Sequence, residues 1–183
     1  MWNYFISVYY LANRAEDGKL DDEDFKMFLD RTIAFIWGYA IMHPGVNALR
    51  TPIFAEMLNI VNLNEVTFSD FKFDKEQTRS AILIYDFKNG RPITKSMLAL
   101  RMMLNKEQPY PKLSQQFDIE HIYSRKRQEN EKGLSNNRQI DLLGNKSLLE
   151  KRVNIRASDY RFEDKIKYYQ GFDNSRGQRI GGT

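Results

Sequence analysis

The sequence predicts an α+β protein, mostly helical, with a strand–loop–strand–helix unit in its C-terminal third. Three observations lead there. Apolar residues recur at helical steps from Trp2 to Leu104, the stretch Phe117–Tyr123 alternates with a period of two, and the charge changes sign late in the chain. With 183 residues, the chain has room for one ample domain or two small ones. A hydrophobic share of 42%, including 12 Phe and 10 Tyr, excludes a disordered tail. The longest apolar runs, such as Ala81–Tyr85, are too short to span a membrane, and the opening residues lack the pattern of a signal peptide. With no cysteine there are no disulfides, thiol nucleophiles, Cys zinc sites or iron–sulfur clusters, and a cytoplasmic location is expected.

The first helix is expected over Trp2–Asn13, with Phe5, Val8, Tyr9 and Ala12 in register. Asp21, Asp22, Glu23 and Asp24 load the start of the second, where carboxylates suit the positive end of the helix dipole. Phe25, Phe28, Ile33, Ile36 and Ile41 continue it to His43-Pro44-Gly45, a terminator. Further helices are expected over Pro52–Asn62, Asp74–Phe87 and Thr94–Leu104, the last capped by Thr94. The character changes around Pro109-Tyr110-Pro111, dividing the chain into 1–113 and 114–183. In the second part, Phe117–Tyr123 reads as a strand and Ser124–Arg138 as a charged loop. A short apolar stretch from Ile140 ends in the Gly144-Asn145 turn, before a second strand at Lys146–Leu149. Helices are expected at Arg152–Ser158 and Phe162–Tyr169, then a glycine-rich tail without a terminating element.

Charge and histidine count narrow the chemistry. The net charge is +4, but residues 1–120 carry −2 and residues 121–183 carry +6, so the second part is suited to a polyanion. Of the two histidines, His43 ends a helix and reads as a capping or packing residue. His121 follows Glu120 within a strand, so the two side chains point to opposite faces. A carboxylate, a histidine, a Gly-Asn turn and then Asn154 in a helix have the makings of a one-metal phosphodiesterase site. An imidazole can take a proton from water, and Mg²⁺ prefers oxygen ligands such as those of Glu120 and Asn154. Asp118 shares the strand face of Glu120 and is the reserve ligand.

The strings Asp118–Tyr123, Leu143–Lys151, Val153-Asn154 and Phe162–Lys165 closely resemble the C-terminal domain of GmrSD-type restriction endonucleases. The resemblance implies an HNH-like nuclease with a ββα-metal core over 114–183, and a helical connector over 1–113. By position it makes His121 the general base, Glu120 and Asn154 the ligands of Mg²⁺ or Mn²⁺, and Asn145 the residue orienting the base or the scissile phosphate. It further implies DNA, often modified, as substrate, a role in phage defence, and a nucleotide-dependent NTPase domain as partner. The Asp-Gly-Gln-Gln-Arg-type motif of that domain is absent, so the sequence reads as the C-terminal part alone, with its last helices trimmed.

Three positions depart from the family pattern: Ser124 replaces a proline, Lys146 an apolar residue and Asp159 an asparagine. Arg125, Lys126 and Arg127 are expected either to grip phosphates or to form a solvated loop. Arg152 and Arg156, one helical turn apart beside Asn154, are expected to flank a phosphate path, and Lys165 either contacts DNA or pairs with Glu163 or Asp164. Two other readings compete: a decayed nuclease core that binds DNA or a partner without cutting, and an RNA-cleaving toxin on the same core.

Overall fold

A computed structural model describes residues 2–45, 47–71, 74–107 and 115–182. The chain divides into two units, Met1–Tyr85 and Asp86–Thr183. The first contains four helices, α1 (Trp2–Asn13), α2 (Asp22–Met42), α3 (Arg50–Val61) and α4 (Lys75–Ile84). Asp21 caps α2, its carboxylate accepting from the amides of Glu23 and Asp24. His43 closes the same helix, its N–H donating to the Tyr39 carbonyl. The buried stripe of α2 runs through Phe28, Thr32, Phe35, Gly38 and Ile41. Ile33 and Ile36 are only half-buried, because the core selects the neighbouring Thr32 and Phe35. Aromatic rings make that core: Tyr9 stacks on Phe28 at 3.9 Å and Phe35 on Phe68 at 4.0 Å. Glu56, 2% exposed on α3, accepts from the amides of Thr67 and Phe68 and so satisfies the loop that carries Phe68 inward.

The second unit has α5 (Pro92–Leu104), β1 (Phe117–His121), α6 (Arg125–Glu131), β2 (Lys146–Glu150), α7 (Lys151–Ala157) and α8 (Phe162–Gln170). Two short strands, β3 (Phe172–Asp173) and β4 (Arg179–Ile180), follow. The molecule is thus α+β and mostly helical. β1 and β2 pair antiparallel, with Ile119 opposite Leu148, Glu120 opposite Ser147 and His121 opposite Lys146. α5 packs against β2, and α7 packs against both strands and α8. Phe87, Leu98, Ile140, Leu149, Val153 and Ala157 are buried. The division expected at 113/114 falls outside the described residues, and α5 belongs with the second unit.

Three local expectations need correction. Thr94 does not cap α5: Arg91 stands at the N-cap and Pro92 opens the helix, while the buried Thr94 hydroxyl donates to the Lys88 carbonyl at 2.9 Å. Residues 125–131 are a helix rather than part of a loop, because the Ser124 hydroxyl accepts from the Arg127 amide and supplies the cap. The tail is not featureless. The hairpin of β3 and β4 returns to α8, where the Gly182 amide donates to the Tyr168 carbonyl. At Gly181, φ is +70° and an added Cβ would stand 2.2 Å from that carbonyl oxygen, so only glycine fits.

Candidate active site

The period-two geometry of β1 sends Glu120 and His121 to opposite faces of the hairpin, and each meets a buried lysine. On one face His121 stands opposite Lys146, in a cluster completed by Asp141, Arg125 and Asn89. The Lys146 ammonium, its side chain wholly enclosed, lies 2.9 Å from His121 Nε2, 2.8 Å from Asp141 Oδ1 and 2.6 Å from Asn89 Oδ1. His121 Nε2 is also 3.4 Å from Asp141 Oδ1. Arg125 donates through one terminal nitrogen to both Asp141 oxygens, at 2.9 and 2.8 Å.

Burial, then the Lys146 charge, lowers the His121 pKa from its ordinary value and keeps the ring neutral at physiological pH; Asp141 works against them. Burial would raise the Asp141 carboxyl, but hydrogen bonds from Lys146 and Arg125 outweigh it and bring it from 3.8 down to about 2. A neutral imidazole beside an ionised carboxylate and two cations is equipped to handle a proton next to a polyanion. Among the described residues, Nε and the second terminal nitrogen of Arg125 have no protein partner.

On the other face Glu120, 5% exposed, accepts at Oε1 from Lys165 Nζ at 2.5 Å and from the Tyr169 hydroxyl at 3.0 Å. Lys165 also donates to the His121 carbonyl at 2.7 Å. It is fully buried, so it neither contacts DNA nor pairs with Glu163 or Asp164. An uncompensated charge would be costly there, and Glu120 compensates it. Burial and the Glu120 charge push the Tyr169 phenol far above its ordinary value.

Of the donors expected to hold Mg²⁺, Glu120 is already engaged through one oxygen. Glu120 Oε1 accepts from an ammonium and a phenol, and the ammonium compensates the carboxylate charge, while Oε2 has no protein partner among the described residues. Asp118 and Asn154 are half-buried, and among the described residues no three histidine or carboxylate side chains gather around one point.

Asn145 is turned to the backbone. Its Oδ1 accepts from the Tyr123 amide at 2.8 Å, and its Nδ2 donates to the carbonyls of Tyr123 and Ile140 at 2.9 and 3.1 Å. It therefore fixes the chain two residues beyond His121, with its own amide occupied. The basic residues differ in availability. Lys126 pairs with Asp159 at 3.1 Å, Arg127 donates to the Asp159 carbonyl and to Glu131, and Arg152 pairs with Glu150 at 2.8 Å. Arg156 is exposed on α7 and has no side-chain partner among the described residues.

Sequence reasoning missed Asp141, Asn89 and Tyr169 as members of these clusters and noted Lys146 only as a departure. One available signal was the Lys146 position itself, since a strand pairing that sets Lys146 opposite His121 turns both onto one face. Residues 71–179 match the family model described as GmrSD restriction endonucleases, C-terminal domain. No curated protein and no solved structure matches the chain. That match covers more than half of the sequence and every residue of the two clusters, so the chain belongs to the GmrSD restriction endonuclease C-terminal domain family, a family of DNA-cutting restriction enzymes.

Proposed function

We propose that the second unit hydrolyses phosphodiester bonds of DNA as the nuclease part of a modification-dependent, phage-restricting protein, in partnership with an NTPase domain. β1, β2 and α7 are read as an HNH-like ββα core, with His121 as the base that takes the proton from the attacking water. The observation that carries this reading is the neutral His121 held at a strand end between Asp141, Lys146 and Arg125, inside a domain of a restriction endonuclease family.

The residues divide the work as follows. Water attacks phosphorus while His121 removes its proton, and the bond to the leaving oxygen breaks. The unoccupied donors of Arg125 meet the charge that grows on the phosphate oxygens. Asn145 and the Lys165–Glu120 pair hold the end of β1 from both sides. No step is routed through Mg²⁺.

Incubating the wild-type chain and His121→Ala with modified and unmodified DNA tests the reading. Cleavage by the wild type and its loss in a folded His121→Ala protein are expected, with a drop of about a hundredfold or more. Undiminished cutting by His121→Ala would remove the proposed base.

The engagement of Glu120 by Lys165 favours a second reading, a decayed core that binds DNA without cutting it. Under it the wild type retains DNA binding, shows no cleavage at any Mg²⁺ or Mn²⁺ concentration, and gains no thermal stability from either ion.

A further inference from the structure

A histidine with two ring nitrogens offers only one lone pair when neutral, so its neighbours decide which nitrogen can act as a base. Three acceptors surround Lys146 Nζ: Asn89 Oδ1 at 2.6 Å, Asp141 Oδ1 at 2.8 Å and His121 Nε2 at 2.9 Å. An ammonium has three protons and no lone pair, so each acceptor takes one. Nε2 then presents its lone pair to Lys146, and the ring hydrogen resides on Nδ1. Among the described residues no protein group bonds Nδ1, which leaves that nitrogen to face water or substrate. In this state His121 is a donor toward the solvent side and cannot serve as a base there.

Removing one proton from Lys146 reverses the arrangement. The two remaining N–H groups satisfy Asn89 and Asp141, and the amine lone pair turns to Nε2, which must now donate. The hydrogen sits on Nε2 and Nδ1 carries the lone pair. We propose that Lys146 is a positioning residue that decides which nitrogen of His121 holds the hydrogen, and that it finally stores the proton taken from water. The proposal rests on the reading of His121 as the base.

The steps balance. An O–H bond of water breaks as Nδ1–H forms, and Nε2–H breaks as the third N–H of Lys146 forms. The water oxygen bonds to phosphorus, the bond to the leaving oxygen breaks, and that oxygen takes a proton from solvent. Lys146 ends each turnover as an enclosed ammonium; before the next it returns a proton to Nε2 while Nδ1 releases its own to solvent, which restores the starting arrangement.

The surroundings suit a lysine that changes state. Burial, the largest influence, lowers its pKa from the ordinary lysine value, and Arg125 adds to this; Asp141 and Asp86 oppose. These groups and His121 are the charged or titratable neighbours that act on it, while Glu120 and Lys165 pair on the opposite face of the hairpin.

Nitrogen-15 spectra of the imidazoles across pH test the proposal without any cleavage assay. His43→Asn leaves His121 as the sole histidine signal. In the otherwise wild-type chain the hydrogen is expected on Nδ1 at neutral pH and on Nε2 once Lys146 has lost its proton. In Lys146→Met, Nε2–H donates to Asp141 and the hydrogen stays on Nε2 wherever the ring is neutral. A hydrogen already on Nε2 at neutral pH in the wild type, or an unchanged ring in Lys146→Met, overturns the assignment. Lys146→Arg keeps a cation that does not release its proton. It is expected to hold the hydrogen on Nδ1 wherever the ring is neutral and to lower cleavage about a hundredfold. In the cleavage assay the rising limb of rate against pH moves to lower pH in Lys146→Met, and an unmoved limb overturns proton storage on Lys146. If instead His121→Ala cuts as well as the wild type, the base reading fails while the spectra still judge the role of Lys146.

Discussion

Lys165 and Lys146 show how two cations of the same type serve different ends once buried. Lys165 donates to the Glu120 carboxylate and the His121 carbonyl on the face away from the imidazole, so its work is structural. Lys165→Met leaves Glu120 buried without its counter-charge and is expected to cost about 3–5 kcal/mol in urea unfolding. Replacing both partners, as in Glu120→Leu with Lys165→Met, is expected to recover much of that loss. Asp141 makes a different demand, on pH. Its carboxyl is held at about 2 against an ordinary 3.8, so its contribution to stability is complete above the unfolded value and disappears as pH falls toward 2. His121 acts in the same direction at higher pH, because a ring kept neutral by burial loses its advantage as the unfolded chain protonates below about 6.5. Urea midpoints measured from pH 7 to pH 2 are expected to decline throughout, and Asp141→Asn flattens the part below pH 4.

At the scale of elements, the hairpin of β1 and β2 positions the site, and its ends are tied by side chains rather than by a tight turn. Asn145 uses three hydrogen bonds to hold the chain just after His121. Asn145→Ala leaves backbone groups unsatisfied and is expected to destabilise by on the order of 2 kcal/mol, with cleavage falling because His121 loses its placement. Ser124 explains how the chain turns from strand to helix: its hydroxyl caps α6 and begins the helix that carries Arg125 back over Asp141. Ser124→Ala is expected to cost about 1 kcal/mol in thermal unfolding. It also weakens the Arg125–Asp141 contact, which Asp141 pH titration would register.

At the scale of the whole molecule, the two units have different occupations. The first is held by stacked aromatic rings and a buried carboxylate that satisfies a loop. The second contains both lysine clusters, the basic surplus and nearly all of the family match. Binding to DNA is therefore expected to weaken steeply with salt. Arg156 is exposed and without a protein partner among the described residues, and under the proposed function it neutralises a phosphate. Arg156→Ala is expected to reduce the slope of log affinity against log salt by about 0.9, measured by titration at several salt concentrations. An unchanged slope would mean that the DNA path avoids α7.

Local periodicity by itself determined the helices of the first unit, the strand carrying Glu120 and His121, and the opposition of those two side chains, because helix and strand repeats depend on near neighbours. The motif order also carried the family. What only the tertiary structure decided is which charges meet. Lys165 reaches Glu120 across 45 positions, and Lys146 reaches Asn89 across 57 and His121 across 25. A lysine's address, solvent or interior, is set by whether folding brings a carboxylate, carbonyl or imidazole to its ammonium. No window of sequence around Lys165 contains Glu120, and of the partners of Lys146 only Asp141, five positions earlier, is near it in the chain.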